Sequence, residues 1–228
     1  MHGEKRMGVW ECGSVGKMEM SDIDPQPLTL NHSPNIGVLA VQGDFAKHIE
    51  MIESCGVKAI PVRSVDELDS VQGLVIPGGE STTVGKLMAR YGLDVKIRER
   101  AAEGMPIYGT CTGMILLAKD IAGISQHRLG LIDFTVLRNA FGRQVDSFEA
   151  DLDIDVIGSP TVRAVFIRAP YAVEVGDGVE VLARVDDKIV FLKQGNLLAG
   201  AFHPELTDDN RVHAYFISLV REWLMVNG

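Results

Sequence analysis

The feature that most constrains the fold is an alternation of short apolar segments with amphipathic helical segments from residue 36 onward. Segments 36–41, 57–62, 73–77 and 105–108 have the pattern of strands buried on both faces of a parallel sheet. Helical patterns, with apolar residues three and four positions apart, separate them. Strands and helices in this order form right-handed βαβ units around an open sheet. The sequence therefore predicts an α/β fold with a ligand site at the carboxyl ends of the strands.

The second half of the chain predicts shorter strands joined by tight turns. Strands are expected at 132–137, 162–167, 179–185, 188–193 and 197–202. Asp186-Asp187 and Gly195-Asn196 are typical of hairpin turns. No linker separates the two halves, so these strands should extend the same sheet and make it mixed. A final helix over about 209–225 carries an apolar stripe that is expected to pack on the sheet.

The motif Gly109-Thr110-Cys111-Thr112-Gly113 lies between the apolar segment 105–108 and a helical pattern with Met114, Leu117 and Ala118 on one face. A G-x-C-x-G at such a junction is the cysteine form of the turn that presents a nucleophile above an α/β sheet. Small residues two positions before and after the nucleophile let strand and helix approach each other. The alternative is that Cys111 is an ordinary buried cysteine.

A thiol nucleophile needs a base, and the base needs a group that orients it. His203-Pro204-Glu205 follows the last apolar strand, where His203 can reach the nucleophile and Glu205 can accept from its imidazole. His48 and His213 fall inside helical patterns and His127 falls in a polar loop, so none of them is the predicted base. The alternative for His203 is a structural histidine at a strand end.

The segment Gly78-Gly79-Glu80-Ser81 follows the third predicted strand. Glycines at a strand-to-helix turn let backbone N–H groups face a ligand oxygen. Gly79 and the backbone N–H of Thr112 are therefore candidates for an oxyanion hole. The alternative is a tight turn in which Ser81 caps the helix.

Composition limits the environment and the partners of the chain. The formal net charge of −9 in 228 residues argues against nucleic acid or an anionic membrane as a partner. Three cysteines without a C-x-x-C pattern suggest free thiols in a reducing compartment, and we expect a cytoplasmic protein. Residues 1–34 lack periodicity and predict a disordered leader or a misassigned start, with a functional arm as the alternative. Residues 35–228 should form one domain.

The three motifs, in this order, resemble the triad (class I) glutamine amidotransferases. Within that group the chain is similar to the glutaminase subunits of pyridoxal 5′-phosphate synthase, from residue 36 to the C-terminus. The resemblance is carried by residues 40–43, 77–83, 138–149, 166–170 and 202–207. The block 138–149, with its Arg-Asn-x-Phe-Gly-Arg-Gln segment, is the most specific of these motifs.

The resemblance implies a three-layer αβα fold of the flavodoxin-like, class I amidotransferase type with a mixed sheet. It also implies hydrolysis of L-glutamine to L-glutamate and ammonia through a glutamyl thioester, with ammonia passed to a separate synthase subunit. Carried over by position, Cys111 is the nucleophile, His203 the general base and Glu205 its orienting partner. The implied glutamine contacts are Gly78, Gly79, Glu80, Arg138, Ile167 and Arg168. We expect no metal and no cofactor in this chain, because no lysine is placed as a Schiff-base site and no phosphate cradle is present.

Two features depart from the family pattern. Thr112 stands where the family usually has alanine, and residues 1–34 have no counterpart. Two other functions stay open at this point. One is another cysteine hydrolase on the same turn, such as a γ-glutamyl peptidase or an amidotransferase that serves a different synthase, and the other is a non-catalytic regulatory subunit. The block 138–149 argues against the first, and intact Cys111, His203 and Glu205 argue against the second.

Overall fold

A computed structural model describes residues 33–138 and 147–227. Its helices are α1 Phe45–Ser54, α2 Val65–Asp69, α3 Ser81–Tyr91, α4 Leu93–Ala102, α5 Thr112–Leu117 and α6 Arg211–Asn227. Its strands are β1 Ile36–Leu39, β2 Ala59–Val62, β3 Gly73–Ile76, β4 Ile107–Thr110, β5 Ala118–Ile121, β6 Ile132–Leu137, β7 Ser147–Leu152, β8 Val162–Ile167, β9 Tyr171–Val175, β10 Glu180–Val185, β11 Lys188–Gln194 and β12 Leu197–Gly200. The predicted leader, except residues 33 and 34, and most of the block 138–149 lie outside the described residues.

Within these residues, the strands form a large mixed sheet and a small antiparallel pair. The large sheet has the order β2-β1-β3-β4-β12-β11-β9-β6-β5, and β10 pairs with β11. Strands β7 and β8 form the separate pair. Helices flank the large sheet, which confirms the predicted α/β fold.

Three adjacent parallel strands place the candidate motifs at one end of the sheet. Strand β4 lies between β3 and β12 and is parallel to both. All residues of β1, β3 and β4 are buried, as their continuous apolar pattern predicts. The carboxyl ends of β3, β4 and β12 lie at the same end of the sheet, just before Gly78, Cys111 and His203 respectively. The fold thus brings three motifs together that are distant in sequence.

The hairpin turns are confirmed, and several element boundaries differ from the prediction. Strand β10 pairs antiparallel with β11, and β11 with β12, around the two predicted turns. The assignment of Ala118 to the helix after Cys111 is wrong: α5 ends at Leu117, and Ala118 begins β5 at the edge of the sheet. The strands β7 and β9 were not predicted. They are partly solvated, with polar or exposed residues at several positions, so their apolar pattern is weak.

Candidate active site

Cys111 lies on a strained turn between β4 and α5. Its backbone has φ +49° and ψ −98°, a conformation that non-glycine residues rarely adopt and that concentrates at functional sites. Its N–H donates to the carbonyl oxygen of Gly200 at 2.7 Å, which fixes the turn against β12. The glycines on either side are required by space. A Cβ on Gly109 would lie 2.5 Å from the carbonyl carbon of Gly113, and a Cβ on Gly113 would overlap the carbonyl oxygen of Ile76.

His203 and Glu205 form a hydrogen-bonded pair just after β12. His203 Nδ1 lies 2.7 Å from Glu205 Oε1, and the side chains are 12% and 1% exposed. The main-chain N–H of His203 donates to the carbonyl oxygen of Val165 at 2.8 Å. A 3₁₀ turn, Pro204–Leu206, gives the two side chains their common direction. His203 is therefore held at its backbone N–H and at the Nδ1 atom of its ring.

The charged forms of His203 and Glu205 stabilise each other. Burial alone would lower the pKa of His203, but the adjacent Cys111 and Glu205 outweigh it and raise the pKa to about 10. Burial would raise the pKa of Glu205, yet His48 and His203 beside it hold that pKa well below its usual range. At neutral pH these shifts favour an imidazolium on His203 and a carboxylate on Glu205.

A cleft of about 340 Å³ opens above Cys111, within the range that small-molecule sites occupy. It is lined by Gln42, Gly79, Glu80, Ser81, Cys111, Thr112, Ile115, Arg138, Ile167, Arg168 and His203. Most of the predicted site residues therefore face one cavity. The two exceptions adjoin it: Glu205 is bonded to His203, and a Cβ on Gly78 would lie 2.5 Å from Cε1 of that ring.

Side chains hold both polar groups of the Gly79–Glu80 peptide. The Thr112 hydroxyl donates to the carbonyl oxygen of Gly79 at 2.5 Å. The N–H of Glu80 donates to Gln42 Oε1 at 2.8 Å. The hydroxyl that departs from the family pattern thus has a partner, and the turn has a defined orientation.

Glu80, rather than Ser81, caps α3. Its carboxylate accepts hydrogen bonds from the hydroxyl and backbone N–H groups of Thr82 and Thr83. These bonds lower the pKa of Glu80 to about 2. The Ser81 hydroxyl is instead 3.4 Å from Gln126 Oε1. The longer carboxylate reaches both threonine N–H groups from the N-cap position, so the predicted serine cap is not used.

Two arginines border the cleft with different surroundings. Arg138 Nη1 donates to Gln126 Oε1 at 2.6 Å, and its Nη2 lies 3.9 Å from Glu80 Oε1. Arg168 follows β8, is exposed and has φ +44°. Among the described residues, the Arg168 guanidinium has no hydrogen-bond partner. Arg138 is thus held in place by Gln126 and Glu80, and the guanidinium of Arg168 is available to a ligand.

The sequence reasoning missed two buried histidines behind the pair. His48 and His213 are both 0% exposed, and His48 Nε2 lies 3.3 Å from Glu205 Oε2. A signal was present, because His48 is four residues before Ile52, on the face of α1 that is buried. The helical pattern alone does not state which strand end that face meets. Gln42 also lines the cleft, although it is not among the predicted site residues.

Residues 33–138 and 147–227 contain no group of three or more His, Cys, Asp or Glu placed to hold a metal ion. Over the same ranges, every helix is too short or too polar to span a bilayer.

Comparison with known proteins identifies relatives over most of the chain. The profile of the SNO glutamine amidotransferase family matches residues 38–222. The pyridoxal 5′-phosphate synthase subunit PdxT of Pelotomaculum thermopropionicum is 57% identical over 182 residues, which is 80% of this chain and 93% of that protein. The PdxT subunit of Moorella thermoacetica is 56% identical over 185 residues, covering 81% and 98% respectively.

Solved structures agree with these relatives. A crystal structure of a glutamine amidotransferase is 49% identical, with a TM-score of 0.79, and the match covers 82% of this chain and 98% of that one. PurLQS from Thermotoga maritima, at 18% identity and a TM-score of 0.61 over 86% of this chain and 99% of that one, shares the fold. With a family profile over most of its length and relatives above 50% identity, the chain belongs to the SNO glutamine amidotransferase family.

Proposed function

We propose that this chain is the glutaminase subunit of a pyridoxal 5′-phosphate synthase and that Cys111, His203 and Glu205 are its catalytic residues. The strongest support is that Cys111 and His203 follow adjacent parallel strands and line one cleft, with Glu205 bonded to His203 behind it. The relatives that carry the PdxT name cover 80% or more of the chain.

In the proposed reaction, the Cys111 thiolate attacks the carboxamide carbon of glutamine. The carbonyl oxygen becomes an oxyanion, which the N–H groups of Gly79 and Thr112 would stabilise. The C–N bond then breaks, and the His203 imidazolium gives its proton to the departing nitrogen, so that ammonia leaves and a glutamyl thioester remains. The charge state of His203, whose pKa is raised to about 10, suits this step.

Water completes the cycle. The neutral imidazole of His203 takes a proton from water, and the hydroxide attacks the thioester carbonyl. The C–S bond breaks, glutamate leaves, and the thiolate and imidazolium are restored. Glu205 keeps Nδ1–H of His203 occupied at 2.7 Å, so that the other ring nitrogen serves both proton transfers.

The remaining predicted residues would bind the substrate. Arg138 and Arg168 suit the α-carboxylate of glutamine, because a guanidinium pairs bidentately with a carboxylate. Gly78, Gly79, Glu80 and Ile167 are proposed as further contacts. The cleft-facing positions of Glu80 and Ile167 support this assignment. No cofactor or metal is part of the proposal.

The ammonia would pass to the synthase subunit, which is the proposed partner in a hetero-oligomer. A glutaminase of this kind would waste glutamine if it were always active, so we expect low turnover alone and higher turnover when the synthase docks. The Gly78–Gly79 turn is the element whose peptide, with the Gly79 N–H, would reorient to complete the oxyanion hole. The next peptide, Gly79–Glu80, is held by Thr112 and Gln42.

The amidotransferase domain comprises residues 35–228, and a chain that begins at residue 33 should keep the activity. The location is cytoplasmic, in keeping with the free thiols of Cys55 and Cys111.

The test is glutamate release from L-glutamine by wild type and Cys111→Ala, each with and without the cognate synthase. Activity that needs both Cys111 and the synthase supports the function and its gating. Full activity of the isolated chain that is lost in Cys111→Ala keeps the function and refutes the gating. No activity in either condition refutes the function and favours a regulatory subunit.

A further inference from the structure

A buried chain of polar side chains extends from Glu205 away from the cleft. Glu205 Oε1 is bonded to His203, and Oε2 lies 3.3 Å from His48 Nε2. His48 Nδ1 lies 2.9 Å from Nε2 of His213. His48, from α1, and His213, from α6, are both fully buried, so these contacts exclude water. The mechanism described above makes no use of either histidine.

The second oxygen of Glu205 depends on His48. Oε2 is buried and accepts no aligned hydrogen bond from the described residues. The Nε2 atom of His48 is the polar atom that faces it, at 3.3 Å. A buried carboxylate without a partner is costly, and burial favours its neutral form. A neutral Glu205 would no longer stabilise the imidazolium of His203.

The proton positions follow from the neighbours. If His48 Nε2 carried a lone pair, that lone pair would face the carboxylate of Glu205 and repel it. A proton on Nε2 avoids this repulsion, and the Thr110 hydroxyl oxygen, 3.2 Å away, lies within reach of the same N–H.

His213 influences which ring nitrogen of His48 carries the proton. Burial, and then His48, lower its pKa to about 3, so it is neutral at physiological pH. Its Nδ1 has no hydrogen-bond partner among the described residues, and its ring meets Tyr108 edge-on at 6.5 Å. A proton on His213 Nε2 would be donated to His48 Nδ1. That arrangement makes Nδ1 of His48 the acceptor and places the proton of His48 on Nε2, facing Glu205.

We propose that His48 is a positioning residue of the active site, whose Nε2–H faces and stabilises the second oxygen of Glu205 at 3.3 Å while His213 fixes the tautomer of His48. Thr110 immediately precedes Cys111, so the same N–H also approaches the strand that carries the nucleophile. This proposal rests on the proposed glutaminase function.

The test compares two substitutions of His48 with a control in the same helix. His48→Leu keeps bulk but removes the N–H, and His48→Gln supplies an amide N–H in its place. Ile52→Ala is the control, because Ile52 is equally buried in α1, one turn on, and truncation leaves a cavity. For each protein, kcat and KM for glutamine are measured across pH in the presence of the synthase, together with thermal unfolding.

We expect His48→Leu to lower kcat roughly 10²-fold, the order of loss that follows misplacement of a catalytic group by about 1 Å. KM should change little, because His48 does not line the cleft. The acid limb of the kcat/KM profile should move to higher pH, since Glu205 loses a partner of its charged form. The titratable groups that face Glu205 are His203 and His48, with His213 and Tyr108 behind them. His48→Gln should recover most of the loss.

Three outcomes would overturn the proposal: a wild-type kcat and pH profile in His48→Leu, equal losses in the Gln and Leu variants, or the same loss in Ile52→Ala. If His48→Leu does not fold, ¹⁵N NMR of histidine in the wild-type protein decides, because a His48 whose Nε2 carries no proton contradicts the proposal. Inactive wild type with synthase would refute the proposed function itself, a separate result.

Discussion

Replacing Gly78 by alanine should remove most of the glutaminase activity while leaving the fold intact. The backbone of Gly78 lies outside the left-handed region, so alanine can adopt it. Its Cβ, however, would lie 2.5 Å from Cε1 and 3.3 Å from Nδ1 of His203. Carbon atoms in contact rest at roughly 3.5–4.0 Å, so the ring or the turn must retreat by about 1 Å.

The ring cannot yield freely, because Glu205 holds its Nδ1 and Val165 holds its main-chain N–H. A displacement of about 1 Å at a catalytic group costs on the order of 10²-fold in rate, or about 2.7 kcal/mol of transition-state stabilisation. The assay is kcat for glutamate release with the synthase present. The prediction concerns kcat, and KM is measured beside it because Gly78 is also a proposed substrate contact.

A matched control separates the steric effect from loss of stability. Gly123 has φ +72°, and a Cβ there would meet nothing within 4 Å. Gly123→Ala should therefore destabilise the protein by roughly 1 kcal/mol through its backbone and leave kcat unchanged. A Gly78→Ala variant with kcat within threefold of wild type would refute the reasoning.

Three more predictions concern single side chains. Thr112→Ala frees the carbonyl of Gly79 and should raise the synthase-independent rate severalfold, whereas Thr112→Ser should not; a lower rate in the alanine variant would contradict the gating. NMR titration of wild type should show His203 still protonated at pH 8, with a lower pKa in Cys111→Ala, because Cys111 is one cause of the raised value near 10. The folding stability that comes from this raised pKa is fully present below pH 6.5 and is lost as pH rises through about 10. An NMR titration midpoint of His203 near 6.5 in the wild type would contradict the prediction. Glu80→Ala removes the cap of α3 and should lower the free energy of unfolding by about 1 kcal/mol in urea titrations, and an unchanged value would mean that the cap does not matter.

The sequence was sufficient to predict the parts of the fold whose patterns are local. Buried parallel strands are continuously apolar, hairpin turns have characteristic residues, and the glycines beside Cys111 are required by the close approach of two backbones. The parallel order of β3, β4 and β12 then explains why motifs far apart in sequence lie together. Edge strand β5 and the partly solvated β7 and β9 lack such patterns, and they were missed.

Contacts between elements were out of reach of the sequence. The approach of His48 to Glu205 depends on how α1 lies against the turn after β12, which no local pattern specifies. The use of Glu80 instead of Ser81 as a cap depends on the reach of a side chain across one turn of backbone. The roles of Arg138 and Arg168 were implied by resemblance, since an arginine near a strand end is more often part of a surface ion pair.

Covalent labelling tests the central claim most directly. Wild-type protein, with the synthase, is treated with a glutamine analogue that carries an electrophilic ketone in place of the carboxamide, and the adduct is located by peptide mass spectrometry. Cys55 is the internal control, because burial raises the pKa of its thiol and it lies outside the cleft. We predict one adduct, on Cys111, that glutamine prevents and that forms much more slowly in His203→Ala. Labelling of Cys55 at an equal rate, or labelling of Cys111 that glutamine does not slow, would contradict the account.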